Sequence, residues 1–138
     1  MPAQPCAAYG TPVKLQPGLV ARVSLTVAKE DTAAALATGD VPVLATPRVV
    51  ILAEEATVLA VEGRLDPGLT TVGYRVQLDH LAPTAVGGTV EAEAILEAVE
   101  GRRLTFRVSV SDGRGLVAAG RITRVIVDRE RFLERAAG

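Results

Sequence analysis

ATPRVVILAEEATVLAVEG, residues 45–63, is the one long helical signal in this chain, and the rest of the sequence is organised around it. Its limits are punctuated: Thr46 suits the N-cap, Pro47 the first helical position, where a missing N–H costs nothing, and Gly63 the residue just past the end. Between those limits apolar side chains point in almost every direction around the axis. A surface helix does not tolerate that, so this one is expected to be wrapped by other structure on most sides. Arg48, Glu55 and Glu62 lie seven residues apart and fall on nearly one line, a narrow polar stripe directed outward. Glu54 sits a quarter turn away, on the side of Val50, Thr57 and Val61. Burial there penalises the charged carboxylate unless a partner compensates, so Glu54 is the acid that needs a reason, and the alternative is a slightly different helix register with both acids at the edge of solvent.

Working outward, the 138 residues allow one domain with a sizeable core, and 49% hydrophobic residues with a net charge of −1 describe an ordinary globular protein. Basic and acidic residues, 15 against 16, are spread along the chain. That balance argues against a nucleic-acid or membrane partner held by bulk electrostatics. Aromatics amount to 3% with no Trp, which excludes base-stacking platforms and leaves Val, Leu, Ala and Ile to build the core. Cys6 is the single cysteine, without the neighbours that a disulfide or a metal site requires, and it reads as a surface thiol. No leader pattern or membrane-length apolar run is present, and the expected location is cytoplasmic.

Residues 1–18, rich in Pro and Gly, read as an extended or flexible lead-in, and residues 19–138 as a single domain. Alternation in residues 19–27 predicts a first strand. Residues 32–44, small and interrupted by Gly39, Asp40 and Pro42, form a loop that delivers the chain to Thr46. After the helix, Asp66-Pro67-Gly68 is turn chemistry, and residues 71–78 alternate with Val72, Tyr74, Val76 and Leu78 on one face. Residues 89–99 and 103–111 carry the cleanest two-residue periods. Matching their apolar faces favours a three-residue turn at Glu100-Gly101-Arg102 and places Glu97 near Arg103 and Arg107. A last strand over residues 115–127 precedes a short charged helix over 128–136. That order predicts an α+β fold: an antiparallel sheet of about five strands wrapped around one long central helix. One layer of sheet cannot cover a helix that is apolar all round, so a homodimer is expected to bury the remaining face, with further association left open.

Several segments carry a resemblance when taken together. They are Ala45-Thr46-Pro47 leading into Leu52-Ala53-Glu54-Glu55-Ala56, Val72-Gly73, and Asp79-His80-Leu81-Ala82-Pro83-Thr84 with Gly88-Thr89-Val90. Val99-Glu100-Gly101-Arg102-Arg103 and Gly120 through Arg124 complete the set. In order and spacing, from about Val20 to Phe132, the chain resembles the hotdog-fold thioesterases grouped with fluoroacetyl-CoA thioesterase. The resemblance implies a homodimeric acyl-CoA thioesterase using a threonine at the helix start, a glutamate two turns later and a histidine at the end of the following strand. Those positions are Thr46, Glu54 and His80, with Gly73 and Arg124 as substrate-binding positions. No metal-ligand spacing, phosphate-cradling glycine loop or nucleotide motif is present, so no metal and no cofactor is expected, CoA being part of the substrate.

The chemistry of such a set is thioester hydrolysis. Glu54 attacks the carbonyl or activates water, His80 transfers the proton, and Thr46 positions the substrate. Free backbone N–H groups at the helix start, those of Arg48 and Val49, are the expected oxyanion donors. The fluoroacetyl-selective members close their site with aromatic residues before the central helix, whereas no aromatic occurs here between Tyr9 and Tyr74, and residues such as Ala37 and Asp40 stand in that segment. The expected substrate is therefore a short-chain or general acyl-CoA, or a carrier-protein thioester. The rival from another class is a non-catalytic acyl-thioester-binding dimer. A hydratase is disfavoured because Arg75 stands where its aspartate is expected.

Overall fold

The computed structural model describes residues 14–138, so Cys6 and most of the lead-in lie outside the described residues. Five strands form one antiparallel sheet: β1 (Val20–Thr26), β2 (Leu69–His80), β3 (Thr89–Glu100), β4 (Arg103–Asp112) and β5 (Gly115–Asp128). Their order across the sheet is β1-β3-β4-β5-β2. Tight hairpins join β3 to β4 and β4 to β5. The long helix α1 (Thr46–Ala60) crosses the inner face between the two edge strands, and α2 (Arg129–Ala137) closes the chain. This is the hotdog arrangement, with the helix lying in the curved sheet.

Val49, Leu52, Ala53, Ala56, Thr57 and Ala60 are the buried face of α1, at the three- and four-residue spacing of one helical side. They meet the inward side chains of the sheet, among them Leu96, Leu104, Phe106, Val108 and Ile122, all 1% exposed or less. The opposite side of α1 is uncovered: Ile51 is 50% exposed, Val58 46% and Leu59 43%. Ahead of the sheet, Leu15 is buried and the Gly18 N–H donates to the Leu96 carbonyl, so packing begins before β1.

Three details differ from the sequence expectation, each for a local reason. Glu100 pairs directly with Arg103, so the β3–β4 turn has two residues, with Gly101 at a φ of 63°. A bulge at Glu97 absorbs the one-residue offset, and beyond it Leu96 faces Phe106 and Ala94 faces Val108, which keeps the apolar sets together. Glu97 reaches Arg121 at 2.9 Å and Arg107 at 3.8 Å, whereas Arg103 stacks on the Tyr74 ring instead. In β2 a second bulge at Tyr74 flips the phase: Gly73 opposes Arg124, and Arg75 opposes Thr123. Val72 and Tyr74 therefore leave the face that Val76 and Leu78 occupy.

β2 carries both Gly73 and His80, and Gly120 of β5 lets it approach. A Cβ at residue 120 would overlap the Gln77 carbonyl oxygen. Gly120→Ala is accordingly expected to lower stability by about 1–3 kcal/mol. Denaturant unfolding reads this as a shifted midpoint, and an unmoved midpoint would contradict the register.

Candidate active site

The start of α1 sets the first half of the site. Ala45 is the N-cap, in extended backbone, and Thr46 is the first helical residue followed at once by Pro47. No side chain caps this helix. The capping role expected for Thr46 is thus overturned, and its hydroxyl is free to meet His80 Nδ1 at 2.8 Å. His80 is placed by the end of β2, opposite the buried Ala118 of β5. Its Nε2 is buried without a hydrogen-bond partner among the described residues, a costly state that a bound polar group would relieve.

The expected oxyanion donors are also corrected. The Arg48 and Val49 N–H groups both donate to the Ala45 carbonyl, at 3.0 and 3.1 Å. The Thr46 N–H has no partner among the described residues and is the donor left at the helix start.

The helix entry is braced by contacts that the sequence did not announce. Asp31, 8% exposed, accepts from the Ala28 N–H at 2.8 Å and from Arg48 Nε at 3.0 Å, and its carbonyl accepts from the Ala45 N–H. Arg48 reaches Glu55 as well, at 3.7 Å. The guanidinium read as one end of an outward stripe is therefore a strap across the loop that precedes α1.

The second half of the site lies two turns along the helix. Glu54 Oε2 accepts from Arg124 Nη1 at 3.0 Å, and Oε1 has no partner among the described residues. Arg124 is 7% exposed and is itself fixed by Thr71, through Nε to the hydroxyl at 2.9 Å and Nη2 to the carbonyl at 3.1 Å. Burial pulls the guanidinium below its ordinary pKa, and the Glu54 charge opposes that pull. Gly73 forms the floor: a Cβ there would stand 2.5 Å from Glu54 Oε2. The Glu54 side chain is 34% exposed against 51% for Glu55, so it is half-buried and not enclosed as its helical phase suggests, and its partner is Arg124. Thr71 gave no signal in sequence, because its role appears only when β2 and β5 pair.

The structure therefore makes two groups of contacts and not one constellation. Thr46 with His80 forms one; Glu54 with Gly73 and Arg124 forms the other. Eight helical residues, or ~12 Å of rise, separate Thr46 from Glu54, and no hydrogen bond or ion pair links the groups within the described residues. A groove of about 350 Å³ opens beside the first pair, and an apolar recess of about 430 Å³ lined by Ile51, Val58 and Leu59 opens beside Glu54. Among the described residues no cluster of His, Cys, Asp or Glu is suited to a metal, and no helix is long and apolar enough to cross a membrane.

Fold and site together define a hotdog-fold protein with an acid, a histidine and a helix N-terminus on the inner face of its sheet. The family model of the fluoroacetyl-CoA-specific thioesterases (FlK) matches residues 27–130, and the chain belongs to that family. The fluoroacetyl-CoA thioesterase of Streptantibioticus cattleyicolor is 40% identical over 90 residues, which span 65% of this chain and 65% of that protein. A solved structure of the fluoroacetyl-CoA thioesterase FlK, a threonine-to-serine mutant in complex with acetyl-CoA, superposes with a TM-score of 0.82. It is 31% identical, covering 89% of this chain and 97% of that one. A thioesterase superfamily member from Thermus thermophilus gives a TM-score of 0.80 at 30% identity, covering 88% and 93%.

The contact between Gly73 and Glu54 yields a direct test. Gly73→Ala is expected to push the carboxylate off Arg124, beyond the ~4 Å reach of an ion pair, while the β2–β5 pairing persists. A crystal structure of the variant with the 3.0 Å contact unchanged would contradict this placement.

Proposed function

We propose that this protein hydrolyses acyl-CoA thioesters, as a homodimer whose two sites each draw on both protomers. The observation that carries this reading is the separation of the two contact groups. Neither holds an acid, a histidine and an oxyanion donor together, and family membership argues for a site that needs all three.

A second copy supplies what one chain lacks. β2 is an edge strand, with Tyr74 52% and Val76 39% exposed, and an unpaired edge of this length invites a partner. Antiparallel pairing of β2 with its copy about a two-fold axis between Val76 and Gln77 sets Gly73 opposite the partner's His80. By symmetry it also sets His80 opposite the partner's Gly73. The same approach brings the two uncovered helix faces together, so Ile51, Val58 and Leu59 leave water. Glu54 of one protomer then faces Thr46 and His80 of the other.

In that composite site the thioester carbonyl oxygen takes the Thr46 N–H, a donor already aligned with the positive end of α1, so charge developing on oxygen is met without rearrangement. Arg124 holds Glu54 by Oε2, which leaves Oε1 without a partner among the described residues. Glu54 either attacks the carbonyl carbon, expelling CoA thiolate and leaving a mixed anhydride that water opens, or takes a proton from the attacking water. His80, oriented through Nδ1 by the Thr46 hydroxyl, presents Nε2 to carry the proton that the thiolate receives. Nothing in these steps calls for a metal or a cofactor.

The test is thiol release from a panel of acyl-CoAs by the wild type beside Glu54→Gln and His80→Ala. Each substitution is expected to lower kcat by at least ~100-fold in a folded protein. Turnover unchanged in Glu54→Gln would remove the mechanism. A wild type that binds acyl-CoA without releasing thiol would favour the non-catalytic binding dimer.

A further inference from the structure

The groove beside Thr46 and His80 has a size and a lining of its own. Its walls are Ala33, Val41, Val43, Leu81, Ala82 and Pro83, and no Asp, Glu, Lys or Arg lines it. Its roof is the loop before α1, which is pinned and not slack. The Ala33 N–H donates to the Val43 carbonyl at 2.9 Å, that of Ala34 to Val41 at 3.1 Å, and that of Thr38 to Ala33 at 3.0 Å. The opposite wall is tied in too, since the Leu44 N–H donates to the Thr84 carbonyl and Arg114 Nη2 to the Pro83 carbonyl. The groove is therefore pre-formed.

Two further features say what belongs in it. Val41 and Leu81, on its rim, are 49% and 58% exposed, so apolar surface stands in water around the mouth. Ala33 and Gly39 meet inside it, where a Cβ on Gly39 would stand 3.4 Å from that of Ala33, and two of the smallest side chains leave the depth open. Taking the ~30 Å³ share of one liquid water as the measure of a methyl or methylene, an acetyl methyl would fill about a tenth of 350 Å³, and a chain of four to eight carbons about a third to two thirds of it.

Resting on the thioesterase reading above, we infer that this groove is an acyl pocket selective for uncharged acyl chains of about four to eight carbons. Ala33 sets its depth and Val41 its mouth. Selectivity comes from the apolar area that the chain removes from water, which makes each buried methylene worth about fourfold in affinity. A two-carbon acyl group forgoes nearly all of that gain.

The experiment titrates S-alkyl-CoA thioethers, from S-ethyl to S-dodecyl, into the wild-type protein by calorimetry, with kcat/KM measured on the matching acyl-CoAs. The thioethers cannot be hydrolysed, so their binding does not depend on turnover. Affinity is expected to rise about fourfold per methylene and to level off near S-octyl. Ala33→Leu should shorten that rise, and Val41→Phe, at an exposed position that does not endanger folding, should flatten it beyond S-butyl. An affinity independent of chain length, or a rise that neither variant changes, would overturn the pocket assignment even if acetyl-CoA is hydrolysed. The expected rise, shortened by Val41→Phe, without thiol release from any acyl-CoA would support the pocket and sink the hydrolase reading alone.

Discussion

One constraint governs this fold: a fifteen-residue helix whose apolar side chains point in almost every direction outside one narrow polar stripe is met by a sheet that reaches only one side of it. The side facing the sheet fixes the protomer. Val49, Leu52, Ala53 and Ala56 pack on the inward residues of the strands, in a sheet whose opposite edges are β1 and β2. On the other side Ile51, Val58 and Leu59 remain in water, beside the edge strand β2, and the proposed homodimer would cover both.

The polar groups follow from the same constraint. An acid on such a helix cannot be left unpartnered beside apolar neighbours, and Arg124 answers it from across the sheet, buried and held by Thr71. Burial pulls the Arg124 guanidinium below its ordinary pKa, and the Glu54 contact at 3.0 Å opposes that pull, while Thr71 takes two more of its N–H groups. At the helix start the relation is reversed. Because Thr46 does not cap the helix, its hydroxyl meets His80, and its N–H has no partner among the described residues.

Much of this was legible in the chain and some was not, and the difference is physical. The helix, the strands and the choice of Glu54 over Glu55 follow from periodicity, which is a local property of sequence. Gly73 and Arg124 were visible only through resemblance, since nothing local marks a glycine as the floor under a distant carboxylate. The bulges at Glu97 and Tyr74 were missed because a bulge trades local pattern against pairing across strands, and only the paired sheet shows the trade. Thr46 was assigned to the cap because threonine usually belongs there. Extended backbone at Ala45, bonded to the Asp31 carbonyl, moved the boundary by one residue and released the side chain.

The central claim, that each site takes Glu54 from one protomer and Thr46 with His80 from the other, is tested most directly by mixing two inactive proteins. Glu54→Gln and His80→Ala homodimers are purified, unfolded together in equal amounts and refolded, and thiol release is measured. A heterodimer then contains one doubly damaged site and one site with every residue intact. The account predicts recovery to about a quarter of wild-type activity, since half of the dimers are mixed and each holds one working site of two. No recovery, with mixed dimers demonstrably formed, would place the whole site within one chain and contradict it.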